Sequence, residues 1–185
     1  PGVTVGPPLV VATAAAIAAF GNQYWVPGAT TALLIVLLLA SLGVAWRPLF
    51  ESEPRALAAA ALFVATALLA TARNLELWST MLGEIPAALF VGLSVAIAAR
   101  RDPRFGAALA TGLLFGLAAS TKMVSWLAAP APALVLAHGA WRSAADPLDR
   151  LRGLARVALA FAAGSLAPLA TFELCKAVEL GQFDY

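Results

Sequence analysis

Phe105-Gly-Ala-Ala-Leu-Ala-Thr-Gly-Leu-Leu-Phe-Gly-Leu-Ala-Ala-Ser-Thr-Lys122 carries no charge between Arg104 and Lys122. Within it Ala108, Gly112, Gly116 and Ser120 recur every fourth residue, which places them on one face of a helix. Gly112 and Gly116 form a GxxxG. In a bilayer the lipid tails are as apolar as Leu, so helices associate through small residues that let their backbones approach. A close helix crossing is therefore the first expectation for this stripe, and a ligand groove the second.

The whole chain agrees with a membrane setting. It is 62% hydrophobic and 12% charged, against about 25% charged in an ordinary soluble domain. A water-soluble fold of 185 residues needs more polar side chains than these to build its exterior. Nucleic acid is excluded as a partner, because the basic residues are dispersed where a binding stripe would gather them. One cysteine, Cys175, permits neither an intrachain disulfide nor a CxxC site. One histidine, His138, beside no cysteine argues against structural zinc. Both residues read as helix-end positions. The apolar start at Pro1 has neither a basic n-region nor an initiator Met. With an end at Gln182-Phe183-Asp184-Tyr185, the chain reads as a piece of something longer.

A spanning helix takes about 20 apolar residues. Six segments are candidates: Ala29–Trp46, Ala56–Ala72, Ile85–Ala99, Phe105–Thr121, Met123–Ala137 and Leu154–Phe172. The third and fifth are only about four turns long and need their flanks or a thinner bilayer. Leu9–Phe20 is shorter still, lies between Pro7-Pro8 and Gly21-Asn22-Gln23, and reads as a helix at the interface, with Tyr24 and Trp25 as headgroup anchors. The expected fold class is thus all-α: a polytopic transmembrane bundle of about six spanning helices plus one N-terminal interfacial helix. It divides into residues 1–28 (interfacial helix and loop), 29–172 (six spans) and 173–185 (the start of an outer loop). Pro130 and Pro132 are expected to bend the fifth span and Pro168 the sixth.

Charge sets the orientation. Arg47 and Arg55, then Arg100, Arg101 and Arg104, then Arg142, Arg150, Arg152 and Arg156 fall in alternate loops. The remaining loops hold Arg73, Lys122 and Lys176. The positive-inside rule makes the first set cytoplasmic. Acids divide evenly. Those among the arginines (Glu51, Glu53, Asp102, Asp146, Asp149) read as solvated loop charges. Glu76, Glu84, Glu173, Glu179 and Asp184 share the outer side with Lys122.

The candidate chemistry lies there. Glu84 precedes Ile85-Pro86 at a helix start, where the dipole favours an acid and Pro costs no hydrogen bond. It is either an end-of-helix charge or a carboxylate that coordinates a divalent cation or orients an acceptor. Lys122 closes its apolar run either as an ammonium snorkelling to the headgroups or as a cation for a lipid phosphate or diphosphate. Arg73-Asn74 opens the loop that ends at Glu84 and could assist, while Glu76 reads as facing water. No Walker loop, GxGxxG, GxSxG or HExxH is present, nor a nucleophile–base pair.

These residues resemble GT-C membrane glycosyltransferases, in the branch of protein O-mannosyltransferases and bacterial enzymes that take sugars from polyprenyl phosphate. Gly6-Pro7-Pro8-Leu9 resembles that family's HPPL-like element. Ala72-Arg73-Asn74 through Gly83-Glu84, Arg100-Arg101, the GxxxG helix and Thr121-Lys122 are similar to its next three helices. The likeness is carried by short apolar motifs spread over the chain. It implies an extracytoplasmic site in a bacterial inner membrane, a polyprenyl-phosphate-linked sugar donor and inversion at the anomeric carbon. It maps the family's second outer acid to Glu84 and its membrane-edge lysine to Lys122. Position 6 is Gly where the family commonly has His, and the catalytic acid would lie upstream of Pro1. Two rival readings remain: a non-catalytic helical subunit of a larger membrane complex, and a transporter. The latter would need polar groups inside its spans, whereas the charges here sit at span ends.

Overall fold

The computed structural model describes residues 6–50, 84–99 and 104–180. All the regular structure in these residues is helical: α1 (Pro7–Phe20), α2 (Val26–Phe50), α3 (Glu84–Ala98), α4 (Phe105–Thr121), a 3₁₀ segment (Met123–Ala128), α5 (Pro130–Ser143) and α6 (Pro147–Leu180).

Local sequence accounts for the helix ends. Pro7 and Pro8 occupy the first turn of α1, where a missing N–H leaves no bond unmade. The Gly6 carbonyl accepts from Leu9 and Val10 N–H at 3.1 and 3.3 Å. Gly21 ends the helix at φ 81°, a left-handed value that suits glycine, and its N–H donates to Ile17 O. Lys122 terminates α4 in an extended conformation (φ −147°, ψ 115°). Pro130 then starts α5 from the 3₁₀ turn.

α4 is the centre of the bundle, and eight of its 17 residues are buried. On one side it meets α6 backbone to backbone. A Cβ on Gly112 would strike Phe161 O and Ser165 N, one on Gly116 would strike Ser165 O and the Pro168 ring, and one on Gly164 would strike Leu109 O and Leu113 N. Since Leu109–Gly112 meet Phe161–Gly164 and Gly116 meets Ser165–Pro168, the two helices run in the same direction. Phe115, fully buried beside this seam, contacts Trp126 edge-on at 5.4 Å and Phe161 at 5.7 Å. On its other side α4 meets α3, whose Ser94 Oγ donates to Thr111 O at 2.9 Å. Thr111 Oγ1 is buried with no hydrogen-bond partner among the described residues. Leu89, Phe90, Leu93 and Ala96 of α3 then pack with Leu38 and Ala45 of α2 and Ala118 of α4. Trp46 of α2 donates its indole N–H to Gly92 O at 3.3 Å.

The expectation of about six spanning helices is corrected by these lengths. Among the described residues three helical stretches are long and apolar enough to cross a membrane: Val26–Arg47, Met123–Ser143 and Pro147–Cys175. They make the chain an integral membrane protein. The 15 residues of α3 and 17 of α4 rise about 22 and 25 Å, short of a hydrocarbon core of about 30 Å. The uncharged runs Ile85–Ala98 and Phe105–Thr121 reflect burial against neighbouring helices as much as contact with lipid. An uncharged run alone does not distinguish the two. The fifth candidate differs the other way: it extends past Ala137 to Ser143, so His138 and Arg142 lie on the helix. Pro130 marks a change from 3₁₀ to α geometry in that stretch, and Pro168 lies inside α6 over the small Gly116. The second candidate, Ala56–Ala72, lies outside the described residues.

Candidate functional site

Two ends of the bundle differ in chemistry. At one, the end of α4 meets the starts of α1 and α3. Gly6 is buried, and a Cβ there would collide with Ser120 O and with the Thr121 backbone. The Pro7-Pro8 turn therefore rests directly on the residues that precede Lys122. Thr121 is buried and its hydroxyl donates back to Leu117 O at 2.7 Å. Lys122 is half-buried. Its N–H donates to Ala118 O and its carbonyl accepts from Ser125 N–H, both at 2.9 Å, so the backbone that carries it is fixed on both sides.

Glu84 is the first residue of α3. Ser94 pairs with Thr111 and Ile85 packs into the cluster holding Leu117 and Ala118, so α3 runs antiparallel to α4. That brings the start of α3 to the same end as Lys122. The structure thus gathers the backbones of Gly6, Glu84 and Lys122 at one end, although they are far apart in sequence. Arg73 and Glu76 lie outside the described residues. Among the described residues no group of three or more His, Cys, Asp or Glu is placed to hold a metal ion.

At the opposite end α5 stops at Ser143, α6 begins at Pro147 and α4 begins after Arg104. Ala98, Ala108, Leu136, Ala140, Val157 and Ala160 pack these three helices and the end of α3 together. Arg104, Arg142, Arg150, Arg152 and Arg156 all belong to this end. Arg150 stacks its guanidinium over the Trp141 ring at 5.2 Å and donates Nε–H to Ala144 O at 2.9 Å. Arg152 and Asp149 pair at 3.5 Å while well exposed, a contact of small energetic weight. A cleft of about 320 Å³ opens here, lined by Ala98 and Ala99 from α3 and by Val135, His138, Gly139, Arg142 and Ser143 from α5. Sequence reading missed it, because His138 and Arg142 read separately as a helix end and a loop charge. The one available signal was their i, i+4 spacing, which puts both on one helix face.

Comparison with protein-family models, with curated proteins and with solved structures gives no match for this chain.

Proposed function

We infer that this chain forms part of a membrane glycosyltransferase, moving a sugar from a polyprenyl-phosphate donor to an acceptor hydroxyl on the extracytoplasmic face. The observation that carries the reading is the junction of α1 with the end of α4. The Gly6-Pro7-Pro8 turn rests on Ser120 and Thr121 beside Lys122, and α3 starts with Glu84 at the same end. Two motif elements of the resemblance, more than a hundred residues apart, therefore meet. The close approach also gives a reason for Gly at position 6, since a histidine side chain there would require α1 to move off α4.

The orientation rests on charge. The arginines at the far end of α4, α5 and α6 assign that end to the cytoplasm by the positive-inside rule, which leaves Lys122 extracytoplasmic. Buried charge inside the helices would favour a transporter. The buried polar residues in the described part are only Ser94, Thr111, Thr121 and Ser165.

In the proposed reaction a carboxylate upstream of Pro1 takes the proton of the acceptor hydroxyl. The new bond forms from that oxygen to the anomeric carbon as the bond to the phosphate oxygen breaks. The phosphate leaves with its lipid, and the Lys122 ammonium stabilises the charge developing on it, with Arg73 in support. Glu84 orients the acceptor. In the whole protein, Lys122→Ala is expected to lower transfer from a polyprenyl-phosphate-linked hexose about a hundredfold or more, and Glu84→Gln to lower it as well. Unchanged turnover in both variants overturns the assignment and leaves a non-catalytic subunit of a membrane complex as the better reading.

A further inference from the structure

We propose that the cleft between the end of α3 and the last two turns of α5 binds a phosphate anion carried on an apolar tail, the headgroup of an anionic membrane lipid. The site lies at the arginine-rich end, remote from Lys122, and does not depend on the transferase reading.

The lining is graded along the helix axis. Val135, His138 and Arg142 follow one another at i, i+3 and i+7 on one face of α5, so Val135 and Arg142 are about 10 Å apart along the axis. The half-buried Val135 and the small Ala98 and Ala99 form the apolar floor, while the exposed Arg142, His138 and Ser143 form the rim. Alanine at both α3 positions leaves open the room a larger side chain would fill. A lipid phosphate has the matching polarity: charged oxygens at the rim and the first methylenes on the floor. About 320 Å³ is at the small end of ligand pockets and suits a headgroup rather than a whole lipid.

The depth agrees. The spanning stretch Met123–Ser143 ends at this rim, so the cleft sits where an apolar helix reaches the headgroup layer. The rim is also supplied with donors. Among the described residues neither Arg142 nor His138 engages its side chain in a hydrogen bond or ion pair, whereas Arg150 and Arg152 do. The carbonyl end of α5 opposes an anion with roughly half a charge. The full guanidinium charge of Arg142 outweighs it, and its planar fork fits two phosphate oxygens at once.

The test is lipid retention by the whole protein in nanodiscs of mixed phosphatidylglycerol and phosphatidylcholine, read by native mass spectrometry. Arg142→Gln is expected to lower retained phosphatidylglycerol about fivefold, with phosphatidylcholine unchanged and Arg142→Lys recovering part of the loss. Arg156→Gln, exposed and outside the lining, should retain lipid as the parent does. Arg142 is exposed, and an unchanged melting temperature shows that the variant is folded. Equal retention in Arg142→Gln and the parent overturns the proposal, as does equal loss in Arg156→Gln, which would mean general attraction to the arginine-rich end. A third arm adds inorganic phosphate: displacement of the lipid at low millimolar concentration would mean that a free anion is the ligand and would overturn the lipid assignment.

Discussion

The seam between α4 and α6 and the outer face of α2 are made of similarly apolar sequence, yet they meet opposite surroundings. Along the seam, three glycines set backbone against backbone: a methyl on Gly112, Gly116 or Gly164 would run into a carbonyl oxygen of the facing helix. On α2, only 11% of the spanning window is buried inside the protein. Leu33, Val36, Leu37 and Val44 are largely exposed. Hydropathy alone does not separate a helix that lipid surrounds from one that helices surround. Residue size does, because dispersion contacts between backbones need the small residues, and lipid chains conform to any side chain.

The largest consequence should appear at the seam. Gly112→Leu places a branched side chain where Phe161 O and Ser165 N already lie, and rotamer change cannot relieve a clash with backbone. Overpacking ordinarily costs about 1–3 kcal/mol. Here, where α6 must move away, the expected loss is about 3 kcal/mol or more, visible as a collapse of the melting temperature in detergent or of the folded fraction in an SDS titration. A near-parental variant would mean that α4 and α6 do not pack through these glycines.

A smaller loss is expected at the α3–α4 contact. Ser94→Ala removes the donor to Thr111 O without stranding that carbonyl, which remains in its own helix. The expected cost is about 0.6 kcal/mol, the average for hydrogen bonds between membrane helices, read by the same titration. A loss above about 2 kcal/mol would mark Ser94 and the unpartnered Thr111 hydroxyl as one network. The smallest effect belongs to α2, where Val44→Leu, on an exposed face, should stay within about 0.5 kcal/mol of the parent. A strong destabilisation there would reveal a protein neighbour on that face and narrow the contrast with the seam.

Particular residues show how far the sequence could be read. The Gly112/Gly116 stripe was legible as a crossing because its four-residue recurrence is a local property of one helix. Its partner was less so: Gly164-Ser165 pointed to close contact without saying with which helix, and nothing local gives the shared direction of α4 and α6. Span number failed for the same reason. Ile85–Ala99 and Phe105–Thr121 contain no charge, but whether a neutral run faces lipid or protein is decided by residues far along the chain. Met123–Ala137 was drawn too short because His138 and Arg142 suggested a loop, although snorkelling basic residues are at home in the last turns of a spanning helix.

Of the candidate sites, Lys122 was marked by its place at the end of an apolar run and Glu84 by the Pro two residues on. The alternation of arginines already put both on the outer side; that the Gly6 turn rests beside Lys122 follows only from packing, because α1 fits on the end of α4 where position 6 has no Cβ. The cleft at His138 and Arg142 needed the folded chain outright, since part of its wall comes from Ala98 and Ala99 of another helix.

The sequence by itself determined the solvent of this protein, its all-helical class and a few helix ends, Phe20 of α1 and Thr121 of α4 among them. Each follows from local quantities: 62% apolar residues, proline at N-termini, a charge where an apolar run ends. Only the tertiary structure decided which helices reach across a bilayer, which glycine meets which, and which distant residues touch. Those depend on contacts between segments far apart in the chain, and backbone fit rather than hydropathy selects them.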